Sequence, residues 1–134
     1  MLLDTNILLD AALGRRPHVD AAVELLNRIA QGAGRAFVAW HAIATLHYVA
    51  SRSNGADVTR DFIVGLMRYL SVAPASTEAV RYAASLPMAD FEDAMQVAAA
   101  RACGAEHIVT RNFSDFERSP IPAVTPQEAL AQLR

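Results

Sequence analysis

Two kinds of apolar pattern alternate along the chain. Leu2-Leu3, Ala36 to Trp40, Leu70 to Ala73, His107 to Thr110 and Ala123 to Thr125 are short runs with the length and bounding residues of buried strands. Between them apolar residues recur at helical spacing. Asp4-Thr5-Asn6 supplies N-cap residues for a first helix closed at Gly14. Pro17 then stands where a second helix would begin, with Ala22, Val23, Leu25, Leu26 and Ile29 as its stripe and Gly32-Ala33-Gly34 as its stop. A third helix is predicted over His41 to Arg52, ended by Asn54-Gly55. Asp57 or Thr59 caps a fourth, carrying Phe62, Ile63, Leu66, Met67 and Leu70. Thr77-Glu78 opens a fifth, stopped at Pro87, and Asp90 to Cys103 reads as a sixth with Gly104 at its end. Arg111 to Pro122 is a polar loop, and Pro126-Gln127-Glu128 starts a closing helix. Four or five short strands separated by helices predict an α/β fold with a largely parallel sheet, residues 1–134 forming a single domain.

Composition narrows the class. A chain of 134 residues that is 53% hydrophobic and 19% charged is neither disordered nor collagen-like. Its longest tempting apolar run, Ala94 to Ala102, is interrupted by Gln96 and Arg101, so no membrane helix is predicted. A carboxylate at position 4 is wrong for a signal peptide, and the expectation is a soluble cytoplasmic protein. The single cysteine, Cys103, excludes an internal disulfide and a cysteine zinc site, and reads as a small core residue. All 12 basic residues are arginine, against 14 acids, for a net charge of −2. That balance speaks against a basic nucleic-acid coat protein.

The carboxylates change this picture. In an open parallel sheet, ligands bind beyond the carboxyl ends of the strands at a topological switch point. Asp4 directly follows the first strand, and Asn112 and Asp115 follow the fourth. Asp90 and Asp93 share one face of the helix that feeds that strand. If strands one and four are neighbours, these groups meet in one cleft. Crowded carboxylates need protons or a cation between them, and an all-oxygen set suits Mg²⁺ or Mn²⁺. Each residue also has an ordinary use: Asp4, Asn6 and Asp90 as caps, Asp93 near a helix dipole, Asp115 in a turn. Their joint placement favours a site. Setting aside Asp4, Asp90, Asp93 and Asp115 leaves 12 basic against 10 acidic residues, so the net charge no longer opposes a phosphate substrate. His41 and His47, six apart, do not share a helix face as a metal pair would, and His18 and His107 are isolated.

Three segments closely resemble the PIN-domain family. They are Leu2-Leu3-Asp4-Thr5-Asn6-Ile7-Leu8-Leu9-Asp10, Asp90-Phe91-Glu92-Asp93-Ala94, and Ile108-Val109-Thr110-Arg111-Asn112 with Asp115-Phe116. Within that family the chain is similar to small prokaryotic proteins related to VapC-type toxins. The resemblance implies a Rossmann-like three-layer fold, an acidic cluster binding Mg²⁺ or Mn²⁺, and metal-dependent endonucleolytic cleavage of RNA. For toxin members it also implies a homodimer and a cognate antitoxin. It assigns Asp4, Asp93 and Asp115 to catalysis and the same three with Asp90 to the metal. Asn6, Thr45, Thr110 and Asn112 are expected to support them. Arg111 is expected to contact phosphate, the alternative being an ion pair with a neighbouring acid. One departure stands out: family members commonly carry a glutamate in the helix after the second strand, and Thr45 occupies that place.

The departure sustains a rival, a catalytically silent PIN-like module that binds RNA or an antitoxin. A response-regulator receiver would need a lysine late in the chain, and the chain has none. An Asp-x-Asp phosphatase would need an acid where Asn6 stands.

Overall fold

Five parallel strands of two residues each form one sheet: β1 (Leu2–Leu3), β2 (Phe37–Val38), β3 (Ser71–Val72), β4 (Ile108–Val109) and β5 (Ala123–Val124). The computed structural model describes residues 1–133, and in it the strands lie in the order β3-β2-β1-β4-β5. From the central β1 the chain runs first to one side and then to the other, so the switch point falls between β1 and β4. Helices α1 (Thr5–Leu13), α2 (Val19–Ala30), α3 (Trp40–Asn54), α4 (Ala56–Leu66), α5 (Thr77–Ser85), α6 (Phe91–Ala102) and α7 (Pro126–Gln132) complete the α/β architecture.

The pleat divides the core in two. Leu2 registers with Phe37 on one side and Ile108 on the other, and Leu3 with Val38 and Val109. Successive side chains point to opposite faces. Leu3, Val38 and Val109 therefore pack with Ile7 and Leu8 of α1, Leu25 and Ile29 of α2, Leu46 of α3 and Leu66 of α4. Leu2 and Ile108 pack on the other face with Val97 and Ala100 of α6 and with Phe116. Helices cover both faces of the sheet, giving three layers. Cys103 is half-buried against the second core, as its apolar neighbours imply.

Several boundaries differ from the sequence reading. Pro17 does not open α2; the helix begins at Val19, after His18, and Pro17 lies in the turn before it. Neither Asp57 nor Thr59 caps α4, which follows Gly55; the buried Thr59 hydroxyl donates back to the Gly55 carbonyl at 2.8 Å. Trp40 belongs to α3 rather than to the strand, because Ala39 already has the extended backbone of an N-cap (φ −74°, ψ 148°). Leu70 lies after α4, in the core. The polar loop contains a short 3-10 turn, Phe113–Phe116, which drives Phe116 into the core beside Ile108. Among the described residues, no helix is long and apolar enough to cross a membrane.

Candidate metal centre

The chain leaves β1 and turns at once. Asp4 N–H donates to the Val109 carbonyl at 2.9 Å, the last rung of the β1–β4 ladder, and Asp4 then caps α1, its Oδ1 accepting from Thr5 N–H at 2.7 Å. The other oxygen, Oδ2, accepts from the Thr110 hydroxyl at 2.8 Å and the Asn6 amide at 3.3 Å. Asn6 also donates to Thr110 Oγ1 at 3.2 Å, as does the backbone N–H of Asn112 at 3.1 Å. Asp4, Asn6 and Thr110 thus form one network across the switch point. Asp4 is only 5% exposed, and burial pushes its carboxyl up to about 6 despite the hydrogen bond from Thr110.

The second wall is the start of α6. Asp90 is its N-cap, Oδ1 accepting from Asp93 N–H at 3.0 Å. A carboxylate oxygen from each of Asp90, Glu92 and Asp93 lies within 4.8 Å of the others. Burial, with repulsion from Asp90, Asp4, Glu92 and Asp115, pushes the Asp93 carboxyl up to about 7. Asp115 comes from the 3-10 turn and shares with Asp90, Asp93 and Arg118 a hollow of about 310 Å³.

Asp90, Asp93 and Asp115 therefore share one hollow, and Asp4, with Asn6 and Thr110 behind it, lies near enough for its charge to act on Asp93. Two expectations need correction. Thr45 is exposed, and its hydroxyl donates to the His41 carbonyl of its own helix at 3.3 Å. Arg111 is turned toward α1 rather than the cleft. Its Nε and Nη2 donate to the two oxygens of Asp10 at 2.8 and 3.3 Å, and Asp10 is 1% exposed. A buried carboxylate holds a guanidinium more firmly than open water does, so the ion-pair alternative is the one realised. Asn112 contributes its backbone to Thr110, while the residue itself is exposed.

Sequence reasoning passed over four residues here. Glu92 lies in the quoted motif but one position from the expected face. It accepts at Oε2 from His41 Nε2 at 2.6 Å and from Gln96 Nε2 at 3.0 Å. Gln96, fully buried, also donates to Thr5 Oγ1 at 3.0 Å and so links α6 to α1. His41 escaped notice because it was weighed only against His47 on its own helix; its partner is 51 residues away. Arg118, on the loop after Asp115, is the arginine that lines the acidic hollow, and among the described residues it has no ion-pair partner.

The donor set fits a hard divalent cation. It consists of carboxylate oxygens, two of them, on Asp4 and Asp93, held above their usual range by burial first and by neighbouring carboxylates second. Asn6 Oδ1, in the Asp4 network, is a buried acceptor without a partner.

A family model described as PIN domain matches residues 1–114. No curated protein sequence matches the chain. Among solved structures, the fold is similar to that of VapBC2 from Rickettsia felis bound to a DNA fragment from its promoter. That likeness has a TM-score of 0.71 and 21% identity, covering 92% of this chain and 96% of the other. It is also similar to FitAB bound to the IR36 DNA fragment, with a TM-score of 0.65, 16% identity, and 93% and 94% of the two chains covered.

Proposed function

Because the chain belongs to the PIN-domain family, we propose that it is a divalent-metal-dependent endoribonuclease, the toxin of a toxin–antitoxin pair. The observation that carries the reading is that Asp90, Asp93 and Asp115 line one hollow and that Asp4, at the β1–β4 switch point, is near enough for its charge to act on Asp93, whose carboxyl burial and these neighbours raise to about 7. Asp4, Asp90, Asp93 and Asp115 would hold Mg²⁺ or Mn²⁺, with Glu92 as a further carboxylate. When bound, a divalent cation acidifies the attacking water and offsets charge developing on the phosphate oxygens.

The chain's own residues do the rest. Thr110 and Asn6 fix the rotamer of Asp4, and Thr5 N–H holds its other oxygen, so the carboxylate needs little reorganisation. His41 and Gln96 both donate to Glu92 Oε2 and hold that side chain at the mouth of the cleft. Arg118 is the group placed to grip a substrate phosphate, with a guanidinium suited to two oxygens at once. Arg118→Ala should raise KM for RNA about tenfold with kcat little changed, as steady-state cleavage rates would show.

A cognate antitoxin as partner and a homodimer as the free form belong to the same proposal. The support is the likeness in fold to a chain of VapBC2 and to a chain of FitAB, each solved bound to DNA. The apolar side chains left exposed on α3, on α4 and just after it, Tyr48 at 64%, Val64 at 62% and Met67 at 36%, are the surface such a contact would cover.

The test is cleavage of an end-labelled RNA with and without Mn²⁺, by wild type and by an Asp4→Asn, Asp93→Asn double variant. Asparagine still caps a helix at position 4, so the variant should fold. Metal-dependent cleavage that falls about a thousandfold in the variant supports the reading. Equal cleavage by both proteins, or none by wild type, would leave the silent binding module in its place.

A further inference from the structure

We propose that the groove between the starts of α3 and α5 is a nucleobase subsite, in which Trp40 stacks on an unpaired base next to the scissile phosphate. The inference rests on the nuclease reading and adds to it where the substrate strand lies. Beside the acidic hollow the surface changes character. A narrow cleft of about 80 Å³ is lined by Trp40, Ala73, Pro74, Val80 and Met95, and its lining contains no acid. Trp40 stands 70% exposed at its mouth, and Val80 is 48% exposed. An indole so exposed contributes little to the core, yet it offers a broad flat face to a partner.

His41 joins the two regions. It lines the apolar cleft, and its Nε2 donates to Glu92 of the carboxylate cluster at 2.6 Å. A strand whose phosphate lies over the carboxylates therefore has its adjoining nucleotide at the edge of this cleft. Apart from His41, no side chain lining the apolar cleft can carry charge, which suits the neutral, flat base better than the phosphate. A base has a π-face whatever its identity, so an indole at this position holds single-stranded RNA with little sequence preference. Helix α3 has no side-chain cap, which leaves N–H groups of its first turn as donors at the same cleft for the polar edge of a base. A paired base cannot present its face, and the subsite therefore selects unpaired RNA.

Trp40 is the only tryptophan, so intrinsic fluorescence reads this position alone. A six-nucleotide single-stranded RNA should quench it saturably, and an oligomer of the same length lacking bases should not. Trp40→Ala should raise KM for a labelled RNA about tenfold with kcat little altered, and Trp40→Phe should recover most of the loss. The side chain is exposed, so both variants should fold, and their circular dichroism will show it. Unquenched fluorescence alongside normal cleavage, or wild-type KM in Trp40→Ala, overturns the subsite and leaves the nuclease standing. Base-dependent quenching without any cleavage keeps the subsite and removes the nuclease. Quenching by the base-free oligomer, or by a protein partner while RNA has no effect, assigns the cleft to something other than a base.

Discussion

Asp93→Asn should abolish RNA cleavage and, in the same molecule, make the metal-free protein more stable above neutral pH. The two effects share a cause. In the fold, burial and then repulsion from Asp90, Asp4, Glu92 and Asp115 raise the Asp93 carboxyl from 3.8 to about 7. A carboxyl raised on folding favours its protonated form, so its contribution to stability is full below about pH 4 and is lost as pH climbs through about 7. Asp4, raised to about 6, adds a second loss slightly earlier in the same climb. Wild type without metal should therefore melt at a lower temperature at pH 8 than at pH 5. Asparagine at 93 carries no charge and removes the larger part of that decline. The cleft is open to water, which screens the repulsion, and the gain at pH 8 should be about 1–2 kcal/mol, or roughly 5 °C in Tm. Mn²⁺ should raise the Tm of wild type at pH 8 and leave the variant nearly unmoved, because only a ligand that binds the native state shifts the transition. Melting curves at the two pH values, with and without Mn²⁺, would show it. Identical pH dependence in the two proteins would mean that Asp93 carries no unusual burden.

Arg111→Met should cost about 3–5 kcal/mol of folding stability, the usual penalty for stranding a buried charge. Asp10 is 1% exposed and accepts two hydrogen bonds from Arg111, whereas its other neighbour, Arg15, comes only to 3.9 Å and is more exposed than Arg111. Without Arg111 the carboxylate keeps one distant, solvated partner. Adding Asp10→Asn should recover more than half of the loss, since a neutral amide is cheaper to bury than an unpaired carboxylate. Urea unfolding with an unchanged m-value would measure both. A loss under about 1 kcal/mol together with a raised KM for RNA would restore Arg111 to the phosphate.

These two residues mark how far the chain could be read beforehand. The alternation of short apolar runs with helical stripes made the parallel sheet legible, and Asp4 and Thr110 follow their strands directly, so their meeting at the switch point needed only the strand order. Asp93 was visible for the same reason, since a three-residue offset from Asp90 sets both on one helix face. Arg111 and Arg118 were not separable. Both sit in a stretch without periodicity, and what decides between them is a buried acid a hundred residues away. Glu92 and His41 were hidden by geometry of the same kind: the bond between α3 and α6 depends on how two helices cross, and spacing along either one carries no record of it. Trp40 misled through its type, because an aromatic after Phe37-Val38 continues a strand pattern while the backbone at Ala39 has already turned.

The shortness of the strands has a mechanical consequence. With two residues per strand, β1, β2, β4 and β5 each lend one side chain to each core, and Asp4 comes immediately after β1. A longer strand can absorb an inserted residue as a bulge at its far end and keep its last residues in register. Here there is no far end. A single residue inserted before Asp4 would exchange Leu2 and Leu3 between the two helical layers, or carry the carboxylate off the end of the ladder and away from Thr110. Packing and chemistry are therefore written in one reading frame at this position, and the molecule has no neutral slip between a working site and a disordered core.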